Sequence, residues 1–311
     1  MPARVHLVLL LVQLIFSGFH VTAKSLLRQL HPLAVAGLRV GVAAPVLLLI
    51  ASLAHRRLPG PRDQLRLALL GLFGVFANQL LFIVGLQHTT AINTGILMPS
   101  IPAFAVLVAL VLRIERVSLA RLSGVMLSMS GALVLLRPHR FSLQGGTVLG
   151  NLLVLANCLS YAIFLVLQRP VLRRLPPLTV IAWAFFWGGI GLVAVSWSQL
   201  ARLQLDQLSP RLWWQLAYVV LAAAVLVYPL NTWAIGRSSP VVVAAYTTLQ
   251  PPGTALLAAL LLGERIGWIE VLGFVLIAGG LWVVSRAGTR TTLEPPDYLN
   301  RANPRSPCSD G

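Results

Sequence analysis

The sequence predicts an all-α membrane protein of ten transmembrane helices, arranged as two inverted repeats of five helices each. Three observations carry that prediction. The chain of 311 residues is 57% hydrophobic and only 10% charged, with a mean hydropathy of +0.83, a combination that soluble domains rarely reach. Its apolar runs are mostly about 20 residues long, the length of helix that crosses a hydrocarbon core. A motif in the middle of the chain also returns near its end: Pro102, Glu115-Arg116, Gly124, Gly131 and Arg137 recur as Pro251, Glu264-Arg265, Gly273, Gly280 and Arg286, each 149 positions on. A period close to half the chain, in a sequence of apolar spans, marks a membrane protein built from two homologous halves.

Span one, 5–23, is apolar from Val5 to Val21 with only Arg4 before it, and its surroundings recur later in the chain, so it reads as a membrane helix rather than a secretory signal. Span two, 33–54, follows His31-Pro32 and carries Arg39, the one charge set well inside a span. Span three, 67–87, holds the adjacent amides Asn78 and Gln79; span four, 91–112, contains Pro99 and Pro102 and is closed by Glu115. Span five, 120–136, is tight for length. The second half repeats the series as 147–168, 178–199, 212–235, 240–262 and a second tight span, 268–285. Phe16-Ser17 and Pro32-Leu33 match Leu159-Ser160 and Pro177-Leu178 at offsets of 143 and 145, which implies a small insertion, and Arg39 falls opposite Ala184. The expected units are 1–137 and 138–287, followed by a disordered cytosolic tail, 288–311, that is polar and rich in Pro, Arg and Ser.

Charge gives a direction. Of 24 Lys and Arg residues, 16 fall in gaps on the side of the amino terminus and seven on the other (Lys24, Arg28, Arg137, Arg140, Arg202, Arg211 and Arg265), with Arg39 between. That excess places both termini in the cytosol. Five spans per half is odd, so the second half enters from the opposite side. The net charge of +16 would suggest nucleic acid if the basic residues formed a face, but they sit in short gaps between spans. Cys158 lies in an apolar run and Cys308 in the tail, so neither a disulfide framework nor a thiolate metal site is available. No cofactor or metal is expected.

Ala77-Asn78-Gln79, Gly85-Leu86, Thr89-Thr90-Ala91, Pro102-Ala103-Phe104 and Arg113-Ile114-Glu115-Arg116 resemble the first half of plant walls-are-thin-related transporters. Thr232-Trp233-Ala234-Ile235, Pro240, Tyr246, Gln250 and Gly263-Glu264 are similar to the closing motifs of that group, within the EamA division of the drug/metabolite transporter superfamily. The resemblance covers nearly all of 5–286. It implies ten helices, inverted halves, cytosolic termini and movement of small organic solutes such as amino acids and auxin-like compounds, across the plasma membrane or the vacuolar membrane. Gln250-Pro251-Pro252 departs from the group by carrying two adjacent prolines where one is expected.

The residues point to a site of their own accord. Proline in a membrane helix removes a hydrogen bond and frees the carbonyl four residues earlier, so Pro99 and Pro102 would free Gly95 and Met98, and Pro251 and Pro252 would free Thr247 and Thr248. Broken helices at matching positions of two inverted halves are the best sequence pointer to a transporter site. Beside the breaks lie Asn93, Thr94 and Ser100, and Tyr246, Thr247, Thr248 and Gln250, amides and hydroxyls that suit a zwitterion or weak acid. The bland reading is that each bonds a neighbouring helix. Asn78 and Gln79 cannot both face lipid cheaply; Asn157, Ser160 and Tyr161 in span six, and Tyr228 and Asn231 in span eight, are weaker candidates of the same kind. Trp183 and Trp187 would form an aromatic wall or sit at an interface. Arg39 would hold a substrate carboxylate or snorkel to the outer surface. His20 is the candidate for proton coupling, against the commoner role of a packed histidine.

An intramembrane enzyme would need paired carboxylates, a His cluster or a nucleophile with its base, and the spans offer none. A nucleotide-sugar or sugar-phosphate carrier of the same superfamily would call for several intramembrane cations, and only Arg39 qualifies. A non-transporting scaffold or receptor explains the spans but not the matched breaks. The expected partners are a small organic solute and the bilayer, not nucleic acid, with a homodimer left open.

Overall fold

The computed structural model describes residues 1–55, 58–136, 147–204, 206, 208–262 and 267–287. All of the described regular structure is helical, in ten rods. They are α1 (Ala3–Leu26), α2 (Pro32–Ala54), α3 (Pro61–His88), α4 (Ala91–Leu97, then Ile101–Val111), α5 (Leu119–Leu136), α6 (Thr147–Val171), α7 (Pro177–Ala201), α8 (Pro210–Arg237), α9 (Pro240–Tyr246, then Gln250–Leu262) and α10 (Trp268–Arg286). Seven of them, α1 to α3 and α5 to α8, are long and apolar enough to cross a membrane. Proline divides α4 and α9 into shorter helices joined by the 3-10 turns Met98–Ser100 and Thr247–Leu249, so neither presents one long uninterrupted helix.

The repeat is written in the element boundaries. Pro61 and Pro210, 149 apart, occupy the first helical positions of α3 and α8, where a missing N–H costs nothing. Both rods contain a stretch of π-helix, Leu72–Ala77 and Tyr218–Leu226, and they end at His88 and Arg237, again 149 apart. Thr90 and Ser239 cap α4 and α9 by accepting from the amides of Asn93 and Val242, a side-chain bond that satisfies an otherwise orphaned donor. The two 3-10 turns begin at Met98 and Thr247. The expected apolar spans begin six residues inside α3 and two inside α8, because Pro-led polar turns such as Pro61-Arg62-Asp63 carry no hydropathy signal.

Repeat-related helices pack antiparallel. In the α5/α10 pair Gly124 faces Gly280 and Gly131 faces Gly273; a Cβ built on either first-half glycine would lie 2.8 Å from the facing carbonyl oxygen. Only glycine permits that approach, which is how membrane helices gain van der Waals contact without a hydrophobic drive. α2 and α7 cross similarly, Gly37 against Ser196 and Gly189 against Val40 and Ala44. Large apolar side chains point outward instead, Leu53, Val111, Leu152, Trp197 and Val275 among them, which suits lipid rather than water. Among the described residues two ion pairs occur, Asp63 with Arg66 at the surface and Glu115 with Arg121 in the interior.

Candidate functional site

A small, partly open cleft lies between the two halves. Its wall is drawn from seven rods: Phe16 and Phe19 of α1, Arg39 of α2, Asn78, Gln79 and Phe82 of α3, Asn157 and Tyr161 of α6, Tyr228 of α8, and the broken helices α4 and α9 with Met98, Ile101, Thr247 and Gln250. Three pairs of lining residues stand 149 apart: Gln79 with Tyr228, Met98 with Thr247, and Ile101 with Gln250. The cleft therefore sits on the relation between the halves, and both proline breaks open onto it.

The π-helical turns and the breaks are held by side chains from across the bundle. Ser160 Oγ donates to the Phe73 carbonyl at 2.8 Å, inside the widened turn of α3, and Asn157 Nδ2 donates to the Asn78 carbonyl at 2.6 Å. In α8 the corresponding staple is Arg39, whose Nη2 donates to the Ala223 carbonyl at 2.8 Å. On the α9 break, Gln250 Nε2 donates to Gln13 Oε1 at 3.0 Å, and Ser17 Oγ donates to the Gln250 carbonyl at 3.2 Å. Tyr228 is clasped edge-on by Phe16 and Phe185. Arg39 is the one charged residue on the lining among the described residues, 4% exposed, with its guanidinium 4.5 Å from the centre of the Phe19 ring and 5.8 Å from that of Tyr228.

The structure sorts the residues expected from sequence. Asn78, Gln79, Arg39, Tyr228, Gln250, Thr247, Asn157 and Tyr161 line the cleft. Asn93 does not: it is fully buried, and its Nδ2 donates to Asn151 Oδ1, which also accepts from Thr89. Its place on α4 turns it toward α6, where it serves as helix-to-helix glue. Tyr246 faces away as well, its hydroxyl bonded to His6 Nδ1 of α1. Asn231 lies one layer behind the wall and donates to the Tyr161 hydroxyl at 3.4 Å. Ser100 belongs to the α4 turn without lining the cleft. Thr94 and Thr248 bond carbonyls of their own helices, Thr90 and Ala245.

Pro99, Pro102 and Pro252 are buried supports, and Pro251 is half-buried. The carbonyls of Met98 and Thr247, expected to be free, accept from the amides of Ile101 and Gln250, because each break tightens into a 3-10 turn. Trp187 is exposed and donates to Gln64 Oε1, while Trp183 meets Phe186 edge-to-face, so the pair builds no wall of the cleft. The side chain of His20 lies outside the described residues. Sequence reading missed Phe16, Phe19 and Phe82. Their spacing gives the only signal: Phe16 and Phe19 are one turn apart, and Phe82 is one turn beyond Asn78 and Gln79. Among the described residues no three His, Cys, Asp or Glu side chains gather to hold a metal.

Comparison with known proteins gives this architecture its place. The profile of the EamA-like transporter family matches residues 3–137 and again 148–286. The chain belongs to that family. EamA-like proteins are transporters, not enzymes, and this one is a multi-pass integral membrane protein. It is 30% identical to a WAT1-related protein of Arabidopsis thaliana, over 89% of this chain and 80% of the relative. It is 27% identical to the protein WALLS ARE THIN 1 of the same plant, over 90% and 82%. An uncharacterized transporter of Archaeoglobus fulgidus is 26% identical over 92% of this chain and 98% of its own. A crystal structure sharing 20% identity superposes with a TM-score of 0.74 over 92% of this chain and 97% of that one, a likeness of fold alone.

Proposed function

We propose that this EamA-family protein is a carrier that moves small organic solutes, amino acids or auxin-like metabolites, by alternating access. Ten helices would span the membrane as two inverted five-helix halves, divided near residues 137 and 138, with both termini cytosolic and the membrane being plasma or vacuolar. The observation that carries the reading is the lining of the cleft by three residue pairs at the repeat offset, beside two matched helix breaks. A site on the pseudo-symmetry relation can be approached from either face when the halves rock, and broken helices supply the hinges. The antiparallel crossing of α5 and α10 supports inversion, since repeat-related helices of opposite direction must enter from opposite sides.

The solutes that fit are small and amphipathic. Aromatic rings from Phe16, Phe19, Phe82, Tyr161 and Tyr228 supply apolar surface, and Asn78, Gln79, Asn157 and Gln250 supply directed polar groups. A sugar-phosphate or nucleotide-sugar needs a cluster of cations, and among the described residues the lining holds one. The test is uptake and efflux of labelled amino acids, auxin-like weak acids and nucleotide sugars in expressing cells against empty-vector cells. Saturable movement of one class above background is expected. Confirmed surface expression with no movement of any solute would overturn the carrier reading.

A further inference from the structure

We infer that the solute is a monoanion, a carboxylate on an apolar body, and that Arg39 is the residue that recognises its charge; the inference rests on the carrier reading. Arg39 is 4% exposed on the wall of the cleft and forms no ion pair with a carboxylate among the described residues. A guanidinium stays protonated in a protein, and an uncompensated charge at membrane depth is costly. Its present partners are the Ala223 carbonyl, the Tyr228 hydroxyl and the aromatic faces of Phe19 and Tyr228, while its buried Nε has no hydrogen-bond partner. The guanidinium is thus a fork with donors to spare, the geometry that takes a carboxylate in two parallel bonds.

A purely structural duty does not account for the charge. Ser160 staples the Phe73 carbonyl of the π-turn in α3 with a neutral hydroxyl, so holding the matching turn of α8 does not demand a cation. The repeat-related position of Arg39 is Ala184, which manages without any polar group. Phe19 and Tyr228 flank the guanidinium, and Phe16 packs on Tyr228, giving apolar surface on which the body of the anion would rest. Among the described residues no Asp or Glu lines the cleft to pair with an ammonium, which disfavours zwitterions and cations, and no second Lys or Arg lines it, which disfavours dianions.

The test compares near-isosteric probes on the purified full-length protein: benzoate, benzamide, benzylamine, phthalate and phenylalanine, with affinity read by calorimetry. Benzoate is expected to bind about tenfold or more tighter than benzamide, the margin of a charge-assisted bidentate pair over a neutral one, and tighter than the other three. Arg39→Gln is expected to remove that margin, and Arg39→Lys to retain part of it. Equal affinity of wild type for benzoate and benzamide, no benzoate binding, or an unchanged preference in Arg39→Gln would each overturn the assignment. The wild-type comparison decides the matter even if Arg39→Gln fails to fold. Counterflow of the same probes in proteoliposomes separates the two claims. Binding preference without movement sinks the carrier reading alone, whereas saturable movement of benzamide or benzylamine but not benzoate sinks the Arg39 assignment alone.

Discussion

One end of the bundle is latched, and breaking the latch should open it. Glu115, just past α4, pairs with Arg121 of α5; its second oxygen accepts from Ser239 Oγ, the cap of α9, at 2.7 Å, and Arg121 Nη2 donates to the Ala287 carbonyl beyond α10 at 2.9 Å. The two side chains are only 7% and 2% exposed. Removing one partner of such a buried pair costs about 3–5 kcal/mol, chiefly because the other charge is left buried and alone. If this end opens during transport, both groups hydrate, and losing an exposed pair costs about 0–1 kcal/mol. Glu115→Ala should therefore raise the open population at this end by about 10²-fold. The assay is alkylation of a cysteine placed at buried Val241, in the first turn of α9, in a chain whose Cys158 and Cys308 are replaced by Ala and Ser. Faster labelling is expected, and exchanging the charges (Glu115→Arg with Arg121→Glu) should restore part of the protection. An unchanged rate in folded Glu115→Ala protein would refute the idea that this cluster separates two conformations.

Three shorter predictions follow from the packing. Asn78→Ala and Gln250→Ala should each raise KM for the transported solute by about fivefold, the loss of roughly one hydrogen bond, with membrane insertion unchanged by protease protection; normal transport in both would remove them from the site. Gly131→Leu should lower the melting temperature, because overpacking costs about 1–3 kcal/mol where a Cβ already meets Gly273 O at 2.8 Å; Gly236→Ala, with nothing within 4 Å, should not. Pro251→Ala supplies an amide that competes for the Thr247 carbonyl now bound by Gln250. It should slow turnover in a counterflow assay while leaving thermal stability equal or higher, and unchanged turnover would show that this proline is no hinge.

The parts of the fold legible in the sequence are those set by local covalent chemistry. Proline breaks α4 and α9 where it stands, and glycines at Gly124, Gly131, Gly273 and Gly280 announce a close crossing because nothing larger fits. The side of a helix that a polar residue faces is a different matter. Asn93 and Gln250 look alike in sequence, each a polar residue near a break, yet one is consumed by Asn151 and the other reaches the cleft. The π-turns Leu72–Ala77 and Tyr218–Leu226 add to that uncertainty. A widened turn advances the chain by more residues per revolution, which rotates everything after it, including Asn78, Gln79 and Tyr228, relative to an ideal helix. Aromatic residues carry the least information: a Phe in an apolar span reads the same whether it meets lipid, core or solute, and so Phe16, Phe19 and Phe82 were hidden.

The symmetry of this molecule is mechanical rather than chemical. The breaks and caps of α4 and α9, the helix ends of α3 and α8 and the ends of their π-turns repeat at a fixed offset, whereas the lining residues at the same offset differ in kind: Gln79 opposite Tyr228, Met98 opposite Thr247, Ile101 opposite Gln250. Such a division is what alternating access asks of a duplicated fold. In the proposed alternating-access carrier, equal mechanics in the two halves would let inward and outward states lie close in energy, since each half would adopt the shape the other has left. A solute with one charged end and one apolar end, however, cannot satisfy two identical half-sites at once. Divergence of the lining supplies a polar end and an aromatic end without disturbing the hinges, and Arg39 opposite Ala184 is the furthest that divergence goes.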